Sequence, residues 1–167
     1  MYGGARPDTI EGRAGGDIIF GYEGNDTLNG ERGDDIIFGN RGEDTLIGDF
    51  GEDTLVGGLG RDILWGDQVR DTPNTFGTRD VYMLDNRGAY RNDTAKDFRP
   101  PFDKLGIRSI QKFSASDLGA RDITRGGVDG AEIYLLSNNA TLMFLENVKT
   151  SLIDQVGGMS FITTTIG

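Results

Sequence analysis

An aspartate returns every nine residues at the start of this chain, at Asp8, Asp17, Asp26, Asp35, Asp44, Asp53, Asp62 and Asp71. The same frame surrounds each one. A glycine lies two residues before, at Gly15, Gly24, Gly33, Gly42, Gly51 and Gly60. Another lies four residues after, at Gly12, Gly21, Gly30, Gly39, Gly48, Gly57 and Gly66. An aliphatic residue lies two after, at Ile10, Ile19, Leu28, Ile37, Leu46, Leu55 and Leu64. A helix repeats at 3.6 and a strand at 2, so a strict period of nine belongs to neither; fixed short repeats belong to solenoids.

The slots have physical roles. Turn glycines supply positive φ and leave carbonyls free to face an ion. The segment from the aspartate onward, Asp17-Ile18-Ile19-Phe20 or Asp26-Thr27-Leu28-Asn29, is expected to be a short strand with its aliphatic residue inward. Two units then close one coil of 18 residues, and coils stack about 4.8 Å apart. Units two apart lie above one another. Asp17, Asp35 and Asp53 line one edge, with Asp71 at its end; Asp26, Asp44 and Asp62 line the other, with Asp8 at its start.

Carboxylates stacked at that spacing repel unless a cation lies between them. The chain has no cysteine and no histidine, which leaves carboxylates, carbonyls and hydroxyls as ligands and suits a hard cation such as calcium. Sites are expected between Asp17 and Asp35, Asp35 and Asp53, Asp26 and Asp44, and Asp44 and Asp62. Carbonyls would come from Gly12, Gly15, Gly21, Gly24, Gly30, Gly33, Gly39, Gly42, Gly48, Gly51, Gly57 and Gly60. In the end units Arg6 and Val69 replace a turn glycine, with Pro7 and Pro73 close by, so Asp8 and Asp71 are expected to bind weakly or to cap. Asp34, Glu43 and Glu52, one residue before the aspartate, read as solvated turn residues.

The six consecutive units from Gly12-Arg13-Ala14-Gly15-Gly16-Asp17-Ile18-Ile19-Phe20 to Gly57–Trp65 resemble the repeats-in-toxin (RTX) family of hemolysin-type calcium-binding nonapeptides, G-G-x-G-x-D-x-U-x. The resemblance covers residues 3–72. The second position, often glycine in that family, holds Arg13, Tyr22, Glu31, Asn40, Asp49, Gly58 and Asp67. The resemblance implies an all-β fold: a right-handed parallel β-roll over residues 1–72, then a β-rich capping region over 73–167. It implies several calcium ions, four to six here, and a bacterial protein secreted by the type I route through an uncleaved C-terminal signal. Ser151–Gly167, with no basic residue and Asp154 as its one acid, is compatible with such a signal.

Charge separates the two parts. Residues 1–72 hold six basic and 16 acidic residues, whereas residues 73–167 hold 11 of each. The net −10 argues against nucleic acid and anionic membrane as partners. No apolar run has transmembrane length, and Met1-Tyr2-Gly3-Gly4 lacks the basic start and apolar core of a signal peptide. In the second part Asp80–Leu84, Thr94–Phe98 and Asp103–Ile107 read as strands. Ala131–Leu136 and Ala140–Leu145 around Ser137-Asn138-Asn139 read as a hairpin. Ser114–Leu118 and Ser151–Val156 read as short helical turns, and Asp71–Gly77 as a linker. The starts at Asp80-Tyr82-Leu84 and around Phe98 and Asp103 resemble the non-repetitive region that follows such repeats in type I-secreted proteins. Arg87, Arg91, Arg99, Arg108, Arg121 and Arg125 read as scattered surface charge. The alternative is an acidic-polysaccharide groove, since the layout also resembles accessory modules of alginate epimerases.

Reading the strands two units apart, one sheet presents Ile18, Phe20, Ile36, Phe38 and Val56 outward, an apolar stripe that soluble surfaces rarely leave bare. Packing of the C-terminal segment, or self-association, is expected to cover it. The chain therefore reads as a calcium-folded module, with adhesion to a surface, partner or cell-surface glycan as the alternative. Without Ser/His or Cys/His sets, a zinc motif or a phosphate loop, no enzyme activity is expected.

Overall fold

A computed structural model describes residues 1–67, 79–85, 93–98, 103–109, 118–135, 141–146 and 162–165. Among these residues the regular structure is all strand, and no helix is long and apolar enough to cross a membrane. The strands are β1 (Thr9–Glu11), β2 (Ile18–Glu23), β3 (Thr27–Arg32), β4 (Ile36–Arg41), β5 (Thr45–Phe50), β6 (Thr54–Leu59) and β7 (Ile63–Trp65) in the repeats. Beyond them lie β8 (Val81–Asp85), β9 (Asp93–Ala95), β10 (Lys104–Ser109), β11 (Leu118–Arg125), β12 (Val128–Leu135), β13 (Thr141–Glu146) and β14 (Ile162–Thr165).

Alternate strands enter opposite sheets, as the double unit requires. One sheet has the order β2-β4-β6-β8-β10-β14, parallel throughout. The other runs β1-β3-β5-β7-β9-β13-β12-β11 and is parallel as far as β13. This is a parallel β-roll. Its core is two inward ladders in strict register. Ile19, Ile37, Leu55, Tyr82 and Leu105 form one, and Leu28, Leu46, Leu64, Ala95 and Leu145 the other; all ten are fully buried.

Strands β2 to β6 run six residues rather than the expected four. The ladder skips the glycine after the strand and resumes beyond it, pairing Tyr22 with Asn40 and Asn40 with Gly58. The resumption falls on the second position of the repeat. Tyr22, Glu31, Asn40 and Asp49 all sit there at φ between 71° and 77°. The left-handed region costs a non-glycine residue roughly 1–2 kcal/mol. Because every coil turns the same way there, neighbouring coils still hydrogen-bond, which extends the strand.

Neither sheet stops at residue 72. Val81 pairs with Thr54, and Thr94 with Ile63, so β8 and β9 form the next coil after the period has broken. The inward ladder steps by 18 residues from Ile37 to Leu55, by 27 from Leu55 to Tyr82 and by 31 from Leu64 to Ala95. Inserted chain lengthens the coil without shifting its register.

The expected strands from Asp80, Thr94 and Asp103 are present, with β9 shorter than expected. The expected hairpin is β12–β13, antiparallel, with an irregularity between Ile133 and Tyr134. A second hairpin, β11–β12, turns on Gly126-Gly127, both at positive φ (61° and 86°); two left-handed residues make the tight turn that matches strand twist. Buried Glu132 on β12 takes both Arg121 and Arg125, and the Arg125 guanidinium lies 5.0 Å from the Phe144 ring centre. Both arginines thus hold a buried acid on β12, while Arg121 itself stays exposed. Arg87, Arg91, Arg99, the linker Asp71–Gly77, the loop Ser137–Asn139, the segment Ser151–Val156 and all of Ser114–Leu118 except Leu118 fall outside the described residues. Leu118 begins β11.

The outer stripe is covered unevenly. Phe20 stacks on Phe38 at 4.8 Å between ring centres, and Tyr2 on Phe20 at 5.6 Å. Val56 and its register partner Met83 are buried, whereas Ile18 and Ile36 are 51% and 37% exposed.

Candidate metal centre

The repeat places one aspartate at the mouth of each strand, and from Asp26 onward each aspartate reaches back one coil. The Asp17 N–H donates to Asp35 Oδ1 (2.7 Å), that of Asp35 to Asp53 Oδ1 (2.8 Å), and that of Asp53 to Asp80 Oδ1 (3.0 Å). Along the other edge the Asp8, Asp26 and Asp44 N–H groups donate to Oδ1 of Asp26, Asp44 and Asp62 at 2.8–2.9 Å. Asp80 and Asp62 continue the two chains, donating to Asp103 (3.2 Å) and Asp93 (3.1 Å). From Asp26 onward, each Oδ1 is thus fixed by the coil before it.

Oδ2 is different. On Asp17, Asp26, Asp35, Asp44, Asp53 and Asp80 this atom is buried without a hydrogen-bond partner. Six orphaned carboxylate oxygens in one small fold are a heavy cost, since an unmet buried charge is far from favourable. Asp8 departs from the pattern: its Oδ2 accepts the Gly4 N–H at 2.7 Å, so at the column's start it is satisfied by a turn.

What surrounds each orphan is glycine backbone. A side-chain carbon on Gly12 would lie 2.6 Å from the Gly30 carbonyl oxygen and 3.1 Å from Asp17 Oδ2. The same holds for Gly21 with the Gly39 carbonyl and Asp26 Oδ2, for Gly39 with Gly57 and Asp44, and for Gly48 with Gly66 and Asp53. In the other turn slot, carbons on Gly33, Gly42, Gly51 and Gly60 would overlap the carbonyls of Gly15, Gly24, Gly33 and Gly42. Carboxylate oxygens and carbonyls from adjacent coils therefore crowd the space that a side chain would otherwise fill. Among the described residues no cluster of three acidic side chains forms a metal cage; a cation here would complete its shell from carbonyls. An all-oxygen, carbonyl-rich set with unmet carboxylates fits calcium.

Burial pushes five of these carboxyls up. The Asp44 pKa rises to about 6, that of Asp53 to about 7 and that of Asp80 to about 8. Desolvation is the largest cause; the backbone N–H from the previous coil opposes it, and neighbouring carboxylates add to it. Asp26 and Asp35 shift the same way for the same leading reason.

Asp34, Glu43 and Glu52 are exposed, outside the columns. Glu43 pairs with Arg61 at 3.3 Å and Glu52 with Arg79 at 3.7 Å. Asp71 falls outside the described residues, and the place above Asp53 that the period assigns to it holds Asp80. Asp80, Asp93 and Asp103 escape a nine-residue search. Their local signal was present: Asp80-Val81-Tyr82, Asp93-Thr94-Ala95 and Asp103-Lys104-Leu105 each repeat the aspartate with a buried residue two places on.

Residues 2–37 and 38–73 each match the family model of the RTX calcium-binding nonapeptide repeat (4 copies). No curated protein matches the chain. Among solved structures, the AlgE6R3 subunit of the Azotobacter vinelandii mannuronan C5-epimerase is similar at 21% identity, over 95% of this chain and 80% of that one, with a TM-score of 0.46.

Proposed function

We propose that residues 2–73, which match the family model of the RTX calcium-binding nonapeptide repeat, are repeats of that family, and that the chain is a secreted bacterial module that folds when calcium is supplied. The observation that carries this reading is the row of six buried Oδ2 atoms, on Asp17, Asp26, Asp35, Asp44, Asp53 and Asp80, without hydrogen-bond partners. Asp17, Asp26, Asp35, Asp44, Asp53 and Asp62 would hold the ions together with turn-glycine carbonyls from adjacent coils, four to six ions in all. Calcium would supply divalent charge that offsets the stacked carboxylates. Metal affinity then becomes folding free energy. In a low-calcium cytosol the acidic repeats would stay open and exportable by the type I route; outside, at near-millimolar calcium, they would close. Residues 1–72 are the repeat part and 73–167 the β-rich cap, a division of composition that both sheets cross. We assign the module no catalytic step. The test is whether calcium, and not magnesium, converts the chain from coil to strand.

The outer face favours a second reading, in which the calcium-folded roll adheres to a partner, a cell-surface glycan or another copy of itself. Tyr2, Phe20, Tyr22 and Phe38 form a continuous set of stacked rings. Phe20→Glu with Phe38→Glu removes it. Light scattering in calcium would then show a smaller particle than the unaltered chain if the face self-associates. Identical size, with unchanged thermal stability, would remove both self-association and C-terminal packing.

A further inference from the structure

We propose that the calcium-binding column runs beyond the nonapeptide repeats, and that Asp80, outside the repeats, carries an additional calcium site with the turn at Gly66. This rests on the calcium reading above. Three independent features place Asp80 in the column. Its Oδ1 accepts the Asp53 N–H, as Asp53 accepts that of Asp35. Its Oδ2 abuts Gly66 just as Asp53 Oδ2 abuts Gly48. Arg79, just before it, pairs with Glu52 as Arg61, just before Asp62, pairs with Glu43. In the repeats the glycine and its aspartate are five residues apart; here Gly66 and Asp80 are 14 apart, so the same arrangement is rebuilt around an insertion.

The orphaned atom makes this a site rather than a mere acidic cluster. Asp80 is fully buried and its Oδ2 has no partner. The Gly66 turn is held for the purpose by other groups. Asp97 accepts the Gly66 N–H at 3.0 Å, the Asp67 N–H at 2.7 Å and the Tyr82 hydroxyl at 2.8 Å. Tyr82 in turn accepts the Gly66 N–H at 2.9 Å. These bonds anchor the turn while leaving Asp80 Oδ2 unmet. A carboxylate in that position, with the Tyr82 hydroxyl oxygen also against the Gly66 turn, offers the hard oxygen ligands that calcium takes.

The direct test is a crystal structure of the full chain grown with calcium, and with terbium in its place for anomalous scattering. Density within about 2.3–2.6 Å of Asp80 Oδ2, alongside density at Asp35 and Asp53, is the expected result. Density along the repeats with none at Asp80 would overturn this proposal alone. No ion anywhere would overturn both it and the calcium reading on which it rests. In solution, Asp80→Asn keeps Oδ1 for the Asp53 N–H, and should lower the calcium count in equilibrium dialysis by one, with the circular dichroism spectrum at saturation unchanged. An unchanged count contradicts the proposal.

Discussion

Gly42→Ala is expected to abolish calcium-driven folding of the roll, whereas Gly15→Ala, in the same slot of the repeat, is expected to be tolerated. Both glycines lie at positive φ, 143° and 112°, so both substitutions carry the backbone strain of an L side chain there, roughly 1–3 kcal/mol. They differ in what the new carbon meets. At Gly15 nothing lies within 4 Å. At Gly42 the carbon falls onto the Gly24 carbonyl, 2.7 Å from its carbon atom, and 3.1 Å from Asp44 Oδ1. Both obstacles belong to the coil stack, and no change of rotamer relieves an overlap with backbone. The coil would have to move, yet Leu28 and Leu46 hold it in register through a fully buried ladder. The midpoint of the calcium transition should therefore shift by no more than about threefold for Gly15→Ala, because its strain is shared among several ions. Gly42→Ala should show no transition up to about 10 mM calcium, above the range of extracellular calcium modules. Equal behaviour of the two would mean that the coils are not stacked as described.

The second large effect is an inverted response to acid. In chelator the chain should be more stable near pH 5 than at pH 8, and in calcium the order should reverse. The folded carboxyls of Asp44, Asp53 and Asp80 titrate at about 6, 7 and 8, against about 3.9 for an unfolded aspartate. A raised folded pKa means that the folded state binds more protons, so the stability they contribute is complete below the unfolded value. It is lost as pH rises through 6 to 8. Each additional proton bound changes the folding constant by up to about tenfold per pH unit. With calcium present the same oxygens must be ionised to serve as ligands, so acid competes and the calcium midpoint rises. Far-UV circular dichroism in chelator from pH 8 to pH 5, and calcium titrations at each pH, read both halves of the prediction. Metal-free strand content that falls on acidification would contradict the buried, orphaned state of the carboxylates.

The period alone made the roll legible, since a residue two places after each aspartate has to point inward once the coils close at 18. Ile19, Leu28, Ile37, Leu46, Leu55 and Leu64 do so. The upper coil was obscured because insertions of different length break the period on the two edges, while hydrogen bonding and core packing hold Tyr82 and Ala95 in register. A search for aspartate two residues before any buried apolar or aromatic position would have flagged Asp80, Asp93 and Asp103. The length of the strands was hidden for another reason: Tyr22 and Glu31 adopt a left-handed conformation that their residue types disfavour, though Asn40 and Asp49 visit it more readily, and stacking against like-turned coils makes it tolerable. The Gly126-Gly127 turn carried an ordinary hairpin signal that the hairpin at Asn138 overshadowed. The outer stripe was read as uniform because strand alternation reports direction and not depth; Val56 and Ile36 both face outward, and the first is buried while the second is exposed.

The most direct measurement is far-UV circular dichroism of the full chain during a calcium titration, with magnesium as the control and chelator to reverse it. The expected result is a cooperative coil-to-strand transition between about 0.1 and 10 mM calcium, reversed by chelator and absent in magnesium, which keeps its waters and demands a tighter octahedron. A spectrum already rich in strand in chelator at neutral pH, and unchanged by calcium, would contradict it and would mean that the aspartate columns are structural packing alone.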